Sequence, residues 1–317
     1  MDPQKHIPLL VVAGPTASGK SALAVALARE LDGEVVSADS MQVYAEPRIG
    51  TARPTPEEMG GVPHHLLGFL PLSVPYSAAQ YAQDAHGVIR EIRQRGRLPI
   101  LCGGTGLYIR AVVENWQFPR QPASREQRKA LRERAAREGG ESMLSELRRV
   151  DPETAARLHP HDTGRILRAL EATMAAGVPM SEQQRQSRRE PSPYDVVMLT
   201  LDFHDRELLY GRIDRRADGM LSRGLVEEAR RILQNPEAPT ALQAIGYKEF
   251  APYFAGEIPL EEAIENLKRG TRRYAKRQLS WFRHVRDARV LYVDDYESAD
   301  GLLQAALRVI EERGQTA

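Results

Sequence analysis

Among its 317 residues the sequence has one cysteine, Cys102. That excludes an internal disulfide and any metal site built from several thiolates. Its place at the end of the apolar run LPILC marks a buried thiol with no assigned role. Long hydrophobic runs are missing as well. Stretches such as PLLVV and VVML fall far short of the roughly 20 residues that cross a bilayer, so a soluble protein with no membrane partner is expected. The N-terminus, MDPQKHIPLLVVAGP, carries one lysine ahead of a strand-like run and lacks the pattern of a cleavable leader, which points to the cytoplasm. No repeat or low-complexity tract occurs. Nor does the N-K-x-D motif that reads guanine, which weakens any GTPase reading. Charge of neither sign dominates, with 44 Lys and Arg against 43 Asp and Glu. The balance is uneven along the chain, however: Lys268 to Arg289 holds nine Lys or Arg and one acid, Asp287, as suits a polyanionic partner.

What is present reads as alternating strands and helices. PLLVVAG (8–14) is a strand ending in glycine, SALAVALAREL (21–31) has helical spacing, EVVSAD (34–39) is a second strand, and LPILCGG (98–104) a third. Ser77 with Gln80 forms a capping box for a helix running to about Gln94. This order predicts an α/β fold, a P-loop parallel sheet with helices on both faces. After Trp116 the pattern changes to short charged helices: Ser124 to Glu138, one starting at Ser142, one at Asp151-Pro152, and Asp162 to Ala176. VVMLTLDF (196–203) and ARVLYVD (288–294) return to strand. The expected organisation is a core of residues 1–116 and 195–317, with a small all-helical insertion domain at 117–194. At this length, one large domain with a smaller appendage is the natural expectation.

The chemistry centres on GPTASGKS, comprising Gly14, Pro15, Thr16, Ala17, Ser18, Gly19, Lys20 and Ser21. A strand before it and a helix after it make it a phosphate loop: amides cradle oxygens, Lys20 reaches the outer phosphate, and the Ser21 hydroxyl can ligate Mg2+. The loop specifies a diphosphate, not what is attached to it. Three apolar runs end in an acid that an ATP-using enzyme could place on a metal, at Asp39, Asp202 and Asp294. In SADSMQVY (37–44), Asp39 lies at the strand edge that also carries the loop, where it either faces the cleft or caps a turn. Thr105, in GGTGLY (103–108), lies on the same edge and equally suits a helix N-cap, and both can hold. Arg212 and Arg216 share one helical face, for which spacing alone favours a solvated surface over a diphosphate clamp. The adjacent histidines of VPHHL lack the acid or thiol that would complete a metal site and read as a structural loop. In NLKRGTRRYAKRQLSWFRHVR (266–286), Leu267, Tyr274, Trp281, Phe282 and Val285 form one stripe. Arg269, Arg273, Lys276, Arg277 and Arg283 lie mostly elsewhere, favouring a nucleic-acid backbone over a solvated basic face.

In order along the chain, GPTASGKS, SADSMQVY, GTARPTPEE with VPHHL, GGTGLY, DTGRILRALE, RIDRR, IGYKE and TRRYAKRQLSWFR resemble the tRNA dimethylallyltransferases, also called tRNA isopentenyltransferases. The resemblance spans most of the chain and implies that the loop holds dimethylallyl diphosphate. The dimethylallyl group would pass to N6 of the adenosine just 3′ of the anticodon, in tRNAs reading codons that begin with U. It implies Asp39 as general base, Thr105 orienting the reacting groups and Arg216 on the diphosphate, beside the Mg2+ that the loop itself suggests at Ser21. Ser40, Met41 and Gln42 would lie against the target base. The insertion would hold the tRNA anticodon stem-loop through Thr163, Gly164, Arg165 and Arg168, with Gln127 and Arg128. Arg273, Lys276, Arg277 and Gln278 would bind tRNA from the basic helix, and a monomer is expected. A P-loop nucleotide or small-molecule kinase is the alternative, followed by prenylation of free adenine nucleotides and by an RNA-binding module without catalysis.

Overall fold

A computed structural model describes residues 6–118, 124–187, 190–235, 244–285 and 287–314. The chain forms two compact units, Met1–Val113 with Pro193–Ala317, and Glu114–Ser192. In the first unit, β1 (Ile7–Ala13), α1 (Lys20–Glu30), β2 (Gly33–Ser37), α2 (Pro56–Met59), β3 (His64–His65), α3 (Ala78–Gln94), β4 (Leu98–Gly103) and α4 (Gly106–Val113) precede the second unit. The second unit contains α5 (Arg125–Val150), α6 (Pro152–Ala155), α7 (Thr163–Ala176) and α8 (Met180–Ser187). The first unit resumes with β5 (Tyr194–Asp202), α9 (Arg206–Ser222), α10 (Leu225–Leu233), α11 (Ala251–Phe254), α12 (Leu260–Phe282), β6 (Arg289–Tyr292) and α13 (Ala299–Gly314).

The strands pair in the order β3-β2-β4-β1-β5-β6, every neighbour parallel. A central parallel strand is covered on both faces and needs apolar residues throughout, which IPLLVVA supplies. Leu10 and Val12 pack with Leu23 and Leu27 of α1 and Leu302 and Ala306 of α13. Leu9, Val11 and Ala13, equally buried, alternate to the other face. There α3 and α4 lie against β4, and α3 buries Tyr81, Ala85, Ile89 and Ile92 at helical spacing behind its Ser77–Gln80 capping box.

From β1 the chain runs through α1 to β2 on one side of the sheet. From β4 it leads, beyond α4 and the second unit, to β5 on the other. The crevice between β1 and β4 is therefore the switch point, where ligands bind to parallel sheets beyond the strand C-termini.

One expectation needs correction. VPHHL is not a loop: His64 and His65 pair with Val35 and Val36 as the edge strand β3. His65 Nε2 lies 2.6 Å from Glu34 Oε2, which also receives Arg95 at 2.7 Å. Two polar residues are too short a run to display strand alternation.

The second unit has no strand among its described residues. Gly139, with φ 79°, breaks α5 into two helical segments. Gly140 allows close approach, because a Cβ there would stand 2.0 Å from Pro160 O. Leu131, Leu144 and Leu147 of α5 pack against Ile166, Ala169 and Leu170 of α7. The buried Asp151 caps α6 through Thr154 N at 3.0 Å and also accepts from Ser181 N at 2.9 Å.

Candidate active site

The loop after β1 turns through Ala17 (φ 63°) to Gly19 (φ 96°), which heads α1 without any side-chain cap, so the first amides of α1 are left for an anion. Lys20 folds back over the loop, its Nζ donating to Pro15 O at 3.1 Å. Burial, and then the Arg216 guanidinium, hold the Lys20 ammonium below its usual pKa. Burial lowers Arg216 as well, opposed by the carboxylate of Asp39. An anion placed here relieves the repulsion between these two cations.

Arg212 and Arg216 do not form the solvated face that their spacing favoured. Arg212 Nε donates to Ala17 O at 2.9 Å and Arg216 Nη1 to Thr16 Oγ1 at 3.3 Å, so α9 lays both across the phosphate loop. Beside them lies a cavity of about 390 Å3 whose walls include Lys20, Ser21, Arg53, Arg216 and Arg223. Arg53 lies in the GTARPTPEE motif, but neither its place nor that of Arg223 beside the loop is legible in the sequence, since tertiary folding brings them there.

Among the described residues no cluster of three or more His, Cys, Asp or Glu can hold a metal. Ser21, exposed and on the wall of that cavity, carries the hydroxyl that would hold Mg2+ there. Of the acids considered for metal binding, Asp202 is buried against Arg283 (3.0 Å) and Asp294 accepts from the amides of His204 (3.1 Å) and Asp205 (2.8 Å). Both are structural. Cys102 is buried, and burial pushes its thiol up to about 11.

Asp39 caps the turn, and its charge bears on Lys20 and Arg216. Oδ1 accepts from Met41 N at 2.9 Å and Gln42 N at 3.2 Å, capping the turn, while Oδ2 receives no hydrogen bond among the described residues. Thr105 Oγ1 accepts from Ser40 N at 3.0 Å, tying the β4 loop to the residue after Asp39. Gln42 has a second task, its Nε2 donating to Thr51 O (3.0 Å) and Ala52 O (3.2 Å), so it holds the loop that carries Arg53. That loop is fixed from below by the buried Glu228, which accepts from the amides of Arg48, Ile49 and Gly50 and from Tyr247 Oη. The IGYKE segment thus owes its tyrosine to a brace, which the sequence alone did not reveal.

Above the crevice lies α12, whose packing stripe differs from the one expected. Leu267, Ala275, Leu279 and Phe282 are buried, whereas Trp281 is 38% exposed and covers Gly106, where a Cβ would meet its ring at 2.2 Å. Tyr274 is half-buried near Asp39, and burial with that carboxylate's charge raises its phenol well above the ordinary range. Gln278 is buried, with Oε1 accepting from Thr16 N and Nε2 donating to Gly104 O, each at 2.9 Å.

The cations of α12, and Arg283 just past its end, divide by partner. Lys268 pairs with Asp218 (2.7 Å), Arg272 with both oxygens of Asp214 (2.7 and 2.9 Å), and Arg283 with Asp202. Arg273, Lys276 and Arg277 are exposed and have no acidic partner among the described residues; Lys276 and Arg277 lie over the rings of Tyr210 and Tyr274. Arg273 and Arg277, with Arg269 and Lys248, line a cavity of about 420 Å3.

In the second unit, Gly164, Arg165 and Arg168 are exposed on the outer face of α7, and no atom lies within 4 Å of the Cβ that Gly164 lacks. Thr163, half-buried, starts this helix. Gln127 also serves the protein itself: its Oε1 accepts from Ser124 N at 2.8 Å in the capping box of α5, next to the partly buried Arg128.

Residues 42–285 match the family model described as IPP transferase. The tRNA dimethylallyltransferase of Thermoanaerobacter sp. (strain X514) is 44% identical over 96% of this chain and 98% of its own. That of Symbiobacterium thermophilum is 46% identical over 97% and 96%. The crystal structure of the tRNA isopentenylpyrophosphate transferase of Bacillus halodurans superposes with a TM-score of 0.72 at 39% identity, covering 98% and 99% of the two chains. A eukaryotic dimethylallyltransferase captured acting on tRNA gives 0.82 at 29% identity, covering 98% of this chain and 80% of its own. With these relatives named as tRNA dimethylallyl- and isopentenyltransferases over nearly the whole chain, the kinase reading is not favoured, and the chain belongs to the tRNA dimethylallyltransferase family.

Proposed function

We propose that this protein transfers a dimethylallyl group from dimethylallyl diphosphate to N6 of the adenosine 3′ of the anticodon, in tRNAs reading codons that begin with U. The observation that carries this reading is the pairing of opposite charges across the crevice: Lys20 and Arg216 at the phosphate loop, and Asp39 close enough to bias the ionisation of both. An adenine N6 lone pair is delocalised into the ring, so attack requires removal of its proton as the bond forms. Asp39, with one oxygen held by two amides, takes that proton on the other. A C1–N6 bond forms, the C1–O bond breaks, and diphosphate departs with the electron pair onto the loop amides, Lys20 and Arg216. Mg2+ at Ser21 would supply further charge neutralisation of the diphosphate.

The RNA side follows from charge. Arg273, Lys276 and Arg277, with no acidic partner among the described residues, offer cations to phosphates, and Gly164, Arg165 and Arg168 of the second unit offer an exposed helix face for the anticodon stem-loop. Their contacts offset the cost, roughly a few kcal/mol, of extruding the adenine from the loop. The protein acts as a monomer in the cytoplasm on this reading. It is tested by incubation with labelled dimethylallyl diphosphate and, in parallel, tRNA, AMP or ATP. Label in tRNA alone is expected; label in AMP, or phosphate transfer from ATP, contradicts it.

A further inference from the structure

One carboxamide stands where the two halves of the site meet. Gln278 adjoins the exposed Arg277 on α12 but is itself 5% exposed. Two of its partners, Thr16 N–H and Gly104 O, belong to the loops that leave β1 and β4, the strands whose onward connections diverge. From Thr16 the contacts continue through Oγ1 to Arg216. Gly104 precedes Thr105, whose Oγ1 holds the amide of Ser40, the residue after Asp39. The leaving-group side and the nucleophile side are thus joined through one side chain. Only a carboxamide offers an acceptor and a donor in one plane at this reach; a carboxylate lacks the donor and a thioether lacks both. Gly104 leaves it room, since a Cβ there would stand 2.2 Å from Gln278 Nε2.

We propose that Gln278 is a positioning residue that holds the diphosphate loop and the Asp39–Thr105 loop in the relative placement needed for in-line transfer, rather than a contact to tRNA. This rests on the reaction proposed above. Displacement at an allylic carbon requires N6, C1 and the departing oxygen to be aligned, and a displacement of about 1 Å costs on the order of 10²-fold in rate. Loss of the bridge should therefore act on kcat, because each substrate still meets its own binding groups.

The test uses Gln278→Met, which keeps the bulk and removes both hydrogen bonds, and Gly104→Ala, which evicts the carboxamide from the other side. Each should lower kcat for prenyl transfer to tRNA about 10- to 100-fold. KM for both substrates should stay within about threefold of wild type, and the double variant should be no worse than the weaker single. Hydrogen exchange of the backbone amides in residues 14–21 should quicken in Gln278→Met while thermal unfolding is little changed. Four results overturn the proposal: near-normal kcat in folded Gln278→Met, a rise in KM with kcat kept, multiplicative effects in the double variant, or loss of folding in both single variants. Wild type is assayed alongside; failure of wild type to make product refutes the reaction itself, and the ratios between variants are read only against wild-type turnover.

Discussion

At the scale of the residue, the site depends on side chains that hold a charge against their surroundings. Asp39→Asn keeps the turn, since an amide oxygen still accepts from Met41 and Gln42, but cannot take a proton. Turnover should fall by about 10² to 10⁴ with both substrates still bound, measured as single-turnover rates and binding isotherms; near-normal turnover removes Asp39 as the base. Lys20 gives a pH prediction. Its pKa in the folded, empty protein is held below 10.5 by burial and Arg216, so at neutral pH its charge costs folding stability, a cost relieved as pH rises through the interval up to 10.5. A bound diphosphate reverses the shift. Binding in that alkaline window should take up protons, seen by calorimetry in buffers of differing ionisation enthalpy, and Lys20→Ala should abolish both the uptake and useful affinity. Unchanged proton balance in Lys20→Ala contradicts this assignment.

At the scale of the element, α12 separates cations that fasten the helix from cations that face outward. Replacing Arg273, Lys276 and Arg277 together by Ala should weaken tRNA binding, each lost phosphate contact reducing the slope of log affinity against log salt by about 0.7 to 0.9. Affinity for dimethylallyl diphosphate should not change. Arg272→Ala, by contrast, breaks the half-exposed pair with Asp214 and should cost about 1 kcal/mol or less of stability while leaving the salt slope intact. Coincident slopes for wild type and the triple variant, with circular dichroism unchanged, would make this face a solvated surface. The sequence showed that α12 exists and is basic, because periodicity and composition are local. It did not show which cations are spent on Asp214, Asp218 and Asp202, nor that Trp281 lies outside the packing stripe, because those partners come from α9 and β5. Gln278 looked like one more polar residue on a basic helix for the same reason.

At the scale of the whole molecule, the alternation of strand and helix and the change of pattern after Trp116 were legible, since each rests on runs several residues long. The strand order was not, and neither was β3: pairing is a property of the assembled sheet, and two histidines carry no pattern. The loop GPTASGKS announced a phosphate, but its use depends on what surrounds it. Asp202 and Asp294, either of which could have served a metal-bound nucleotide, are tied to Arg283 and to backbone amides, while Asp39 is held through Oδ1 alone among the described residues and its charge bears on Lys20 and Arg216. The claim that the loop clamps a leaving diphosphate, and no nucleotide, is tested most directly by co-product stoichiometry. Released diphosphate should equal alkylated adenosine one for one over a time course with dimethylallyl diphosphate and tRNA, with no release when tRNA is withheld and no requirement for ATP. Diphosphate release independent of tRNA, or ADP appearing in step with product, would contradict the account.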